Sequence, residues 1–296
     1  MENIISWNCR GLRKNVDEIK NILQDHDPIA FCLQETSLRP DKEINFRKYK
    51  PYHRYSVSAD DRAIGGSSVF VKRCIPHREI DLQTNLQAVA VSISLYKTFT
   101  ICGIYLPPSK GIQEAELDDL ISQLPAPFLL VGDFNAHNQI WGCKDINTKG
   151  KIVENAIGNH ELCLMNDGSP THIDPATGSS SAIDLSLCSP SLFVDFTWSV
   201  HEDLCGSNHF PTFLHLQDQS VPGKIPKWNF KKADWAEFEK LCSTEIQPFL
   251  FRDVNDDPIE IFTDVLHFIA EVTIPKTFVI PKRKNKPWWN DECEEA

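Results

Sequence analysis

Nine short apolar runs, rich in β-branched and aromatic residues, recur through the first three quarters of the chain: Ile4–Trp7, Ile29–Leu33, Ser68–Val71, Ala88–Leu95, Phe99–Leu106, Phe128–Val131, Ile183–Leu187, Phe193–Val200 and Thr212–Leu216. Runs of this length bounded by turn residues read as strands. Helical periodicity interrupts them at Val16–Gln24, Glu114–Gln123 and Ile152–His160, and Asp167–Ser181 is turn-rich. Many strands with few helices predict an α/β or α+β domain built from two packed sheets and ending near Leu216.

The character changes beyond that point. Two prolines, a glycine and polar residues within 217–228 predict a linker. Amphipathic helices are expected over Trp235–Cys242 and Pro258–Val272, the first with Asp234 as N-cap and Glu237 three residues on. The end of the chain carries Lys282, Arg283, Lys284 and Lys286 before Trp288 and Trp289, without clear periodicity. The expected organisation is a domain over 1–217, a linker over 218–230 and a short helical extension over 231–296.

A formal charge of −11, from 41 acidic and 30 basic side chains, at first argues against a polyphosphate partner. The imbalance is local. Residues 101–218 hold four basic and 15 acidic side chains, whereas residues 1–100 hold 15 basic and 12 acidic. An acidic block is either a solvated face or a set of carboxylates collected for a cation. Basic residues thicken over Arg47, Lys48, Lys50, Arg54, Arg62, Lys72, Arg73 and Arg78, a candidate phosphate-facing rim. Ten cysteines show no C-x-x-C pair or zinc-finger spacing and read as reduced core residues. No signal peptide, membrane-length apolar run or N-x-S/T sequon is found, so an intracellular, soluble protein is expected.

The chemistry-bearing residues sit where apolar runs break. Asp133 and Asn135, in G-D-F-N-A-H, end one predicted strand and project to the same side at two-residue spacing. They are suited to orienting a water and a phosphate oxygen beside a hard metal, although D-x-N alone is as readily an Asx turn. Glu35 in Q-E-T ends another strand and is a natural oxygen ligand for Mg²⁺. Asn8 in W-N-C-R-G and Tyr105 in I-Y-L-P-P occupy equivalent strand ends. Asp184 interrupts the run Ala182–Leu187, and a carboxylate there needs a partner. His209 in S-N-H-F-P is a candidate, because an aspartate fixes the imidazole tautomer and raises its basicity. Each signal taken alone has a structural explanation at least as strong.

Taken in order, W-N-x-R-G, Q-E-T, I-Y-x-P-P, G-D-F-N-A-H, S-x-I-D-L and S-N-H-x-P resemble the motif series of the endonuclease/exonuclease/phosphatase family over residues 1–216. The resemblance implies a four-layered α/β sandwich, two packed β-sheets flanked by helices, with the site where strand C-termini converge. It implies that Glu35 is the main Mg²⁺ ligand (Mn²⁺ being the alternative), with Asn8 and Asn208 near the metal. It further implies that Asp133 and Asn135 position water and phosphate, that Tyr105 contacts the phosphate, and that His209, oriented by Asp184, polarises it. One position departs from the pattern. The family's S-D-H is S-N-H here, and Asn208 lacks the negative charge that would help hold a metal or raise the basicity of His209.

Finer motifs select a branch. N-A-H-N-Q-I-W-G (135–142), N-D-G-S-P-T-H (166–172) and P-W-W-N-D-E-C (287–293) resemble endonuclease domains of non-LTR retrotransposons, especially the jockey-like group. That resemblance implies nicking of one strand of double-stranded DNA to free a 3′ hydroxyl that primes reverse transcription. Element RNA would be engaged only through a polymerase that is absent from this chain, synthesis would be cytoplasmic, action nuclear, and no membrane would be involved. Ser58-Ala59-Asp60-Asp61 lacks the aromatic residue of a polymerase Y/F-A-D-D motif and reads as a surface turn. The alternatives are a phosphatase or abasic-site nuclease of the same fold, and a catalytically silent nucleic-acid-binding remnant. Thr171–Ser181 and the loop after Asp203 are the expected readers of DNA shape.

Overall fold

A computed structural model describes residues 2–42, 44–58, 60–217, 226–249 and 258–278. The chain divides into two compact units, residues 1–217 and 218–296.

In the first unit the order is β1 (Asn3–Asn8), α1 (Val16–His26), β2 (Ala30–Gln34), β3 (Tyr49–Arg54), β4 (Ser67–Lys72), β5 (His77–Ile80), β6 (Gln87–Ser94), β7 (Thr98–Tyr105), α2 (Glu114–Ser122), β8 (Phe128–Asp133), α3 (Thr148–Asn159), β9 (Cys163–Leu164), β10 (His172–Ile173), β11 (Ser180–Ser181), β12 (Asp184–Cys188), α4 (Pro190–Phe193), β13 (Phe196–Val200) and β14 (Thr212–Leu216). Two six-stranded mixed sheets result, ordered β13-β14-β1-β2-β4-β3 and β5-β6-β7-β8-β12-β9, with β10 and β11 forming a separate hairpin. Each sheet has one parallel pair, β1/β2 joined through α1 and β7/β8 joined through α2. A parallel pair requires a crossover, and a crossover helix covers the sheet face it returns over.

Alternation along the central strands explains the layers. In β2, Ala30 and Cys32 face the core between the sheets, while Phe31 and Leu33 face the α1 side with Ile19 and Ile22. In β8, Leu129 and Val131 face the inter-sheet core, while Phe128 and Leu130 join Leu117, Leu120, Val153 and Ala156 of α2 and α3. Such strands are apolar at every position, and their sequences read as continuous runs. The three cores separate four layers, helix–sheet–sheet–helix, as the sequence predicts.

All nine predicted strands overlap an observed one, with one boundary corrected by more than two residues: Pro190–Phe193 is a helical turn, and the strand begins at Phe196. Proline at the first helical position favours the turn, and Val194 lies outside the sheet at 74% exposure. β3 and β5 were not legible, being edge strands with charged, half-exposed residues. Of the Ser58–Asp61 motif, Ala59 lies outside the described residues; the Asp61 N–H donates to the Ser58 carbonyl at 3.0 Å, and the carboxylates of Asp60 and Asp61 are exposed.

In the second unit, α5 (Trp235–Phe249) and α6 (Pro258–Thr273) pack together, and β15 (Pro226–Trp228) pairs with β16 (Lys276–Phe278). Asp234 caps α5, its Oδ1 accepting from the Glu237 N–H at 3.0 Å. The basic and tryptophan-rich tail lies outside the described residues, as does most of the predicted linker.

Candidate active site

Strand ends from both sheets meet at one edge of the sandwich. β1 ends at Asn8 and β2 at Gln34, followed directly by Glu35. In the other sheet Tyr105 of β7, Asp133 of β8 and Asp184 of β12 are consecutive partners across the ladders. Chains that must turn sharply here adopt left-handed backbone: φ is 50° at Glu35 and 47° at Asn135. Non-glycine residues at such angles cost on the order of 1 kcal/mol each, and surrounding hydrogen bonds must hold them. Those bonds are present. The Glu35 carbonyl accepts from Gly11 N–H at 2.8 Å, the Thr36 N–H donates to Gly66 and the Ser37 N–H to Gly65. The Asn135 N–H donates to Asp133 Oδ1 at 2.9 Å. Gly132 cannot be replaced without displacement, since a Cβ there would lie 1.9 Å from the Ile104 carbonyl oxygen.

The polar side chains form one network. Asn8 Nδ2 donates to Asp133 Oδ2 at 2.8 Å and to Glu35 Oε1 at 3.2 Å. The Tyr105 hydroxyl donates to Glu35 Oε1 at 2.7 Å, and Asn135 Nδ2 donates to Asp133 Oδ2 at 3.0 Å and to the Leu106 carbonyl at 3.1 Å. His209 Nδ1 lies 2.8 Å from Asp184 Oδ2, leaving Nε2 4.0 Å from Asp133 Oδ2. Thr171 Oγ donates to Asp184 Oδ2 at 2.7 Å and accepts the N–H groups of Ile183 and Asp184, so the carboxylate that holds His209 is itself held. The Trp7 indole donates to the His209 carbonyl at 2.9 Å.

Burial and charge set the protonation states. Burial raises the Asp133 pKa far above the usual carboxylate range, against the opposing pull of His209 and with added repulsion from Asp184. Burial disfavours a charged His209, but the charge and hydrogen bond of Asp184, reinforced by Asp133 and Glu35, outweigh it and raise its pKa. Both shifts favour a proton held between His209 and its carboxylates. Burial, with repulsion from Glu35, raises the Tyr105 pKa and keeps the phenol a donor.

Seven of the eight residues expected at the site join this network. Asn208 is the exception. Its Nδ2 lies 2.8 Å from His172 Nε2, so the amide is directed onto a second imidazole and away from the Glu35–Asp133 carboxylates. An amide donor matches a neutral imidazole acceptor. Burial, with the neighbouring His209 charge, holds His172 down to about 4 and keeps that acceptor available. The His172 and His209 rings lie 4.5 Å apart. Thr171 and His172 were expected only as part of a DNA-reading loop, and Lys149 carried no signal at all; their places beside Asp184, Asn208 and Leu106 come from partners distant in sequence.

Among the described residues, Asp133, Asp184 and His209 bring three potential His or carboxylate ligand atoms within 4.8 Å of one another. Glu35 and Asp133 flank the same Asn8 amide and accept only from neutral donors there, and two carboxylates so placed suit a hard cation.

Comparison with known proteins identifies similar sequences and folds. Residues 99–213 match the family described as "Endonuclease-reverse transcriptase". The chain is 29% identical over 171 residues to the RNA-directed DNA polymerase from mobile element jockey of Drosophila melanogaster, covering 56% of this chain and 18% of that protein. It is 24% identical over 279 residues to the probable RNA-directed DNA polymerase from transposon X-element of Drosophila melanogaster, covering 91% of this chain and 30% of that protein. Among solved structures, the endonuclease domain of TRAS1, a telomere-specific non-LTR retrotransposon, superposes with a TM-score of 0.62 at 20% identity, covering 74% of this chain and 99% of that one. The chain thus spans less than a third of the length of these curated relatives.

Proposed function

The chain carries an endonuclease/exonuclease/phosphatase domain of the non-LTR retrotransposon kind, and from that premise we propose that it is a metal-dependent DNA endonuclease that nicks one strand of double-stranded DNA. The observation that carries this reading is the convergence of Asn8, Glu35, Tyr105, Asp133, Asn135 and the Asp184–His209 pair at one edge of the sandwich.

Glu35, with Asn8 and Asp133 beside it, is the place for Mg²⁺, or Mn²⁺ in its stead. Bound there, the ion offsets charge that develops on the phosphate and on the leaving oxygen. Asp133 and Asn135 hold the attacking water, the carboxylate as acceptor and the amide as donor. The imidazolium of His209 donates to a non-bridging phosphate oxygen from Nε2, while Asp184 on Nδ1 fixes that orientation. The Tyr105 hydroxyl, which rests on Glu35 in the free protein, is placed to donate to the phosphate. The water gives a proton to the Asp133 carboxylate as its oxygen bonds to phosphorus, the P–O3′ bond breaks, and O3′ takes up a proton from solvent, so the products are a 5′ phosphate and a 3′ hydroxyl. In a retrotransposon protein that hydroxyl primes reverse transcription by a polymerase domain, which would also be the element's contact with its RNA and would place the work in the nucleus.

The net charge of −11 does not oppose this reading, because the acidic excess lies in the segment that supplies Asp133 and Asp184. The basic rim is partly spent internally: Lys72 pairs with Asp27, Arg62 with Asp60, and Arg54 donates to the Thr84 carbonyl. DNA binding by this chain alone is accordingly weak and salt-sensitive. Among the described residues no helix is long and apolar enough to cross a membrane.

End chemistry tests the proposal. Nicked product should be extended directly by a DNA polymerase. Ends that require phosphatase treatment before extension would exclude a priming role, and cleavage confined to abasic sites would favour the repair-nuclease alternative.

A further inference from the structure

Residues 101–218 contain four basic side chains, all lysines, and one of them, Lys149, is buried at 7% exposure. It occupies the second position of α3, where the helix dipole disfavours a cation. Two unfavourable terms, burial and the dipole, therefore act on the same ammonium. Its Nζ reaches the strand end that carries Tyr105, donating to the Leu106 carbonyl at 3.4 Å and to the Pro107 carbonyl. Burial lowers its pKa and the charge of Asp133 opposes that shift, so the ammonium also stands within the field of the candidate site.

The Leu106 carbonyl is shared: Asn135 Nδ2 donates to it from the other side at 3.1 Å. The start of α3 is fastened to the same turn by Asn147, whose Oδ1 accepts the His137 N–H at 3.0 Å and the Gly150 N–H at 2.7 Å, and whose Nδ2 donates to the Asn135 carbonyl at 3.0 Å. Gly150 permits this approach, since a Cβ there would lie 1.8 Å from the His137 carbonyl oxygen.

We propose that Lys149 is a positioning residue for the hydrolysis described above: its buried ammonium fixes the Leu106–Pro107 carbonyls and, through the shared Leu106 carbonyl, the side chain of Asn135 and the end of the strand carrying Tyr105. This rests on the endonuclease reading. Its role differs from a structural one in a measurable way: without the ammonium the Leu106 carbonyl still accepts from Asn135 and the Pro107 carbonyl from the Lys110 N–H, so an apolar side chain of similar volume orphans neither acceptor and removes a burial cost, while a positioning role is lost.

The test uses the full chain with Lys149→Met and Lys149→Arg, read by thermal melting, by plasmid nicking with kcat and KM separated, and by the NMR signal of the Asn135 side-chain amide. For Lys149→Met the expected result is an unchanged or higher Tm, a kcat reduced at least tenfold, a KM within threefold and a displaced Asn135 amide signal, with Lys149→Arg recovering part of kcat. A kcat within twofold of the parent, or a fall matched by loss of folded protein alone, overturns the proposal. If the parent chain does not nick DNA, the endonuclease reading fails, and the Asn135 signal decides the positioning claim by itself: displacement upholds it and an unmoved signal refutes it.

Discussion

Asn8 and Asp133 belong to different sheets, 125 residues apart, and are joined by a 2.8 Å hydrogen bond from Nδ2 to Oδ2. That bond crosses the sandwich at its working edge, and the same Asn8 amide reaches Glu35 at 3.2 Å. The two sheets thus share one polar network whose carboxylates are held apart by a single amide.

Replacing that amide by a carboxylate tests the arrangement. In Asn8→Asp three carboxylates crowd a buried site, and the protein should lose stability in EDTA, by about 2–4 kcal/mol for an uncompensated buried charge. Mg²⁺ should restore part of it. Equal destabilisation with and without Mg²⁺ in urea denaturation would mean that no cation answers to these carboxylates.

Asp184→Asn removes the charge that keeps His209 protonated and its tautomer fixed. Nicking should fall by at least about 10²-fold with little change in KM. The alkaline limb of the kcat profile should move to lower pH, because the raised His209 pKa is lost. An unmoved limb would assign it to another group.

How much of this was legible in the sequence depends on where each residue finds its partner. Asp133 and Asn135 are two residues apart and bond to each other, so their pairing was visible in G-D-F-N. Asp184 betrayed itself by interrupting an apolar run. His172 shows the opposite case. It sits in a two-residue strand with no periodicity of its own, and its partners Asn208 and His209 lie 36 and 37 residues on, brought back by an isolated bridge. Asn208 was expected beside the metal because it stands where the family's S-D-H motif has aspartate. Lacking that charge, its amide is paired with His172 Nε2 at 2.8 Å. Central strands were legible because both faces are buried, while the edge strands β3 and β5 were not.

His172 also predicts an acid response. Its pKa is held at about 4 in the folded protein against 6.5 unfolded, so the unfolded state binds more protons between those values. Stability should therefore fall as the pH drops from about 6.5 towards 4, by about 1–2 kcal/mol for this half-buried group after allowing for solvent screening. His26 and His215, also shifted down by burial, act with the same sign. His172→Asn should lose less stability than the parent between pH 7 and pH 4.5. An identical loss would contradict the assignment.

Gly132→Ala probes the parallel pairing of β8 with β7 beside the site. With φ at 146° and no room for a Cβ against the Ile104 carbonyl, the substitution should destabilise by about 3 kcal/mol or more, seen as a large fall in the urea midpoint. A change under about 0.5 kcal/mol, the range of neutral surface substitutions, would show that the strand end can relax.

The central claim is that this constellation hydrolyses DNA with a divalent cation. The direct measurement is conversion of supercoiled plasmid to open circle by the purified chain in Mg²⁺, with EDTA, Glu35→Ala and Asp133→Ala as controls. Mg²⁺-dependent nicking that each control abolishes is the predicted result. No nicking by the parent chain, or nicking that survives both substitutions, would contradict it.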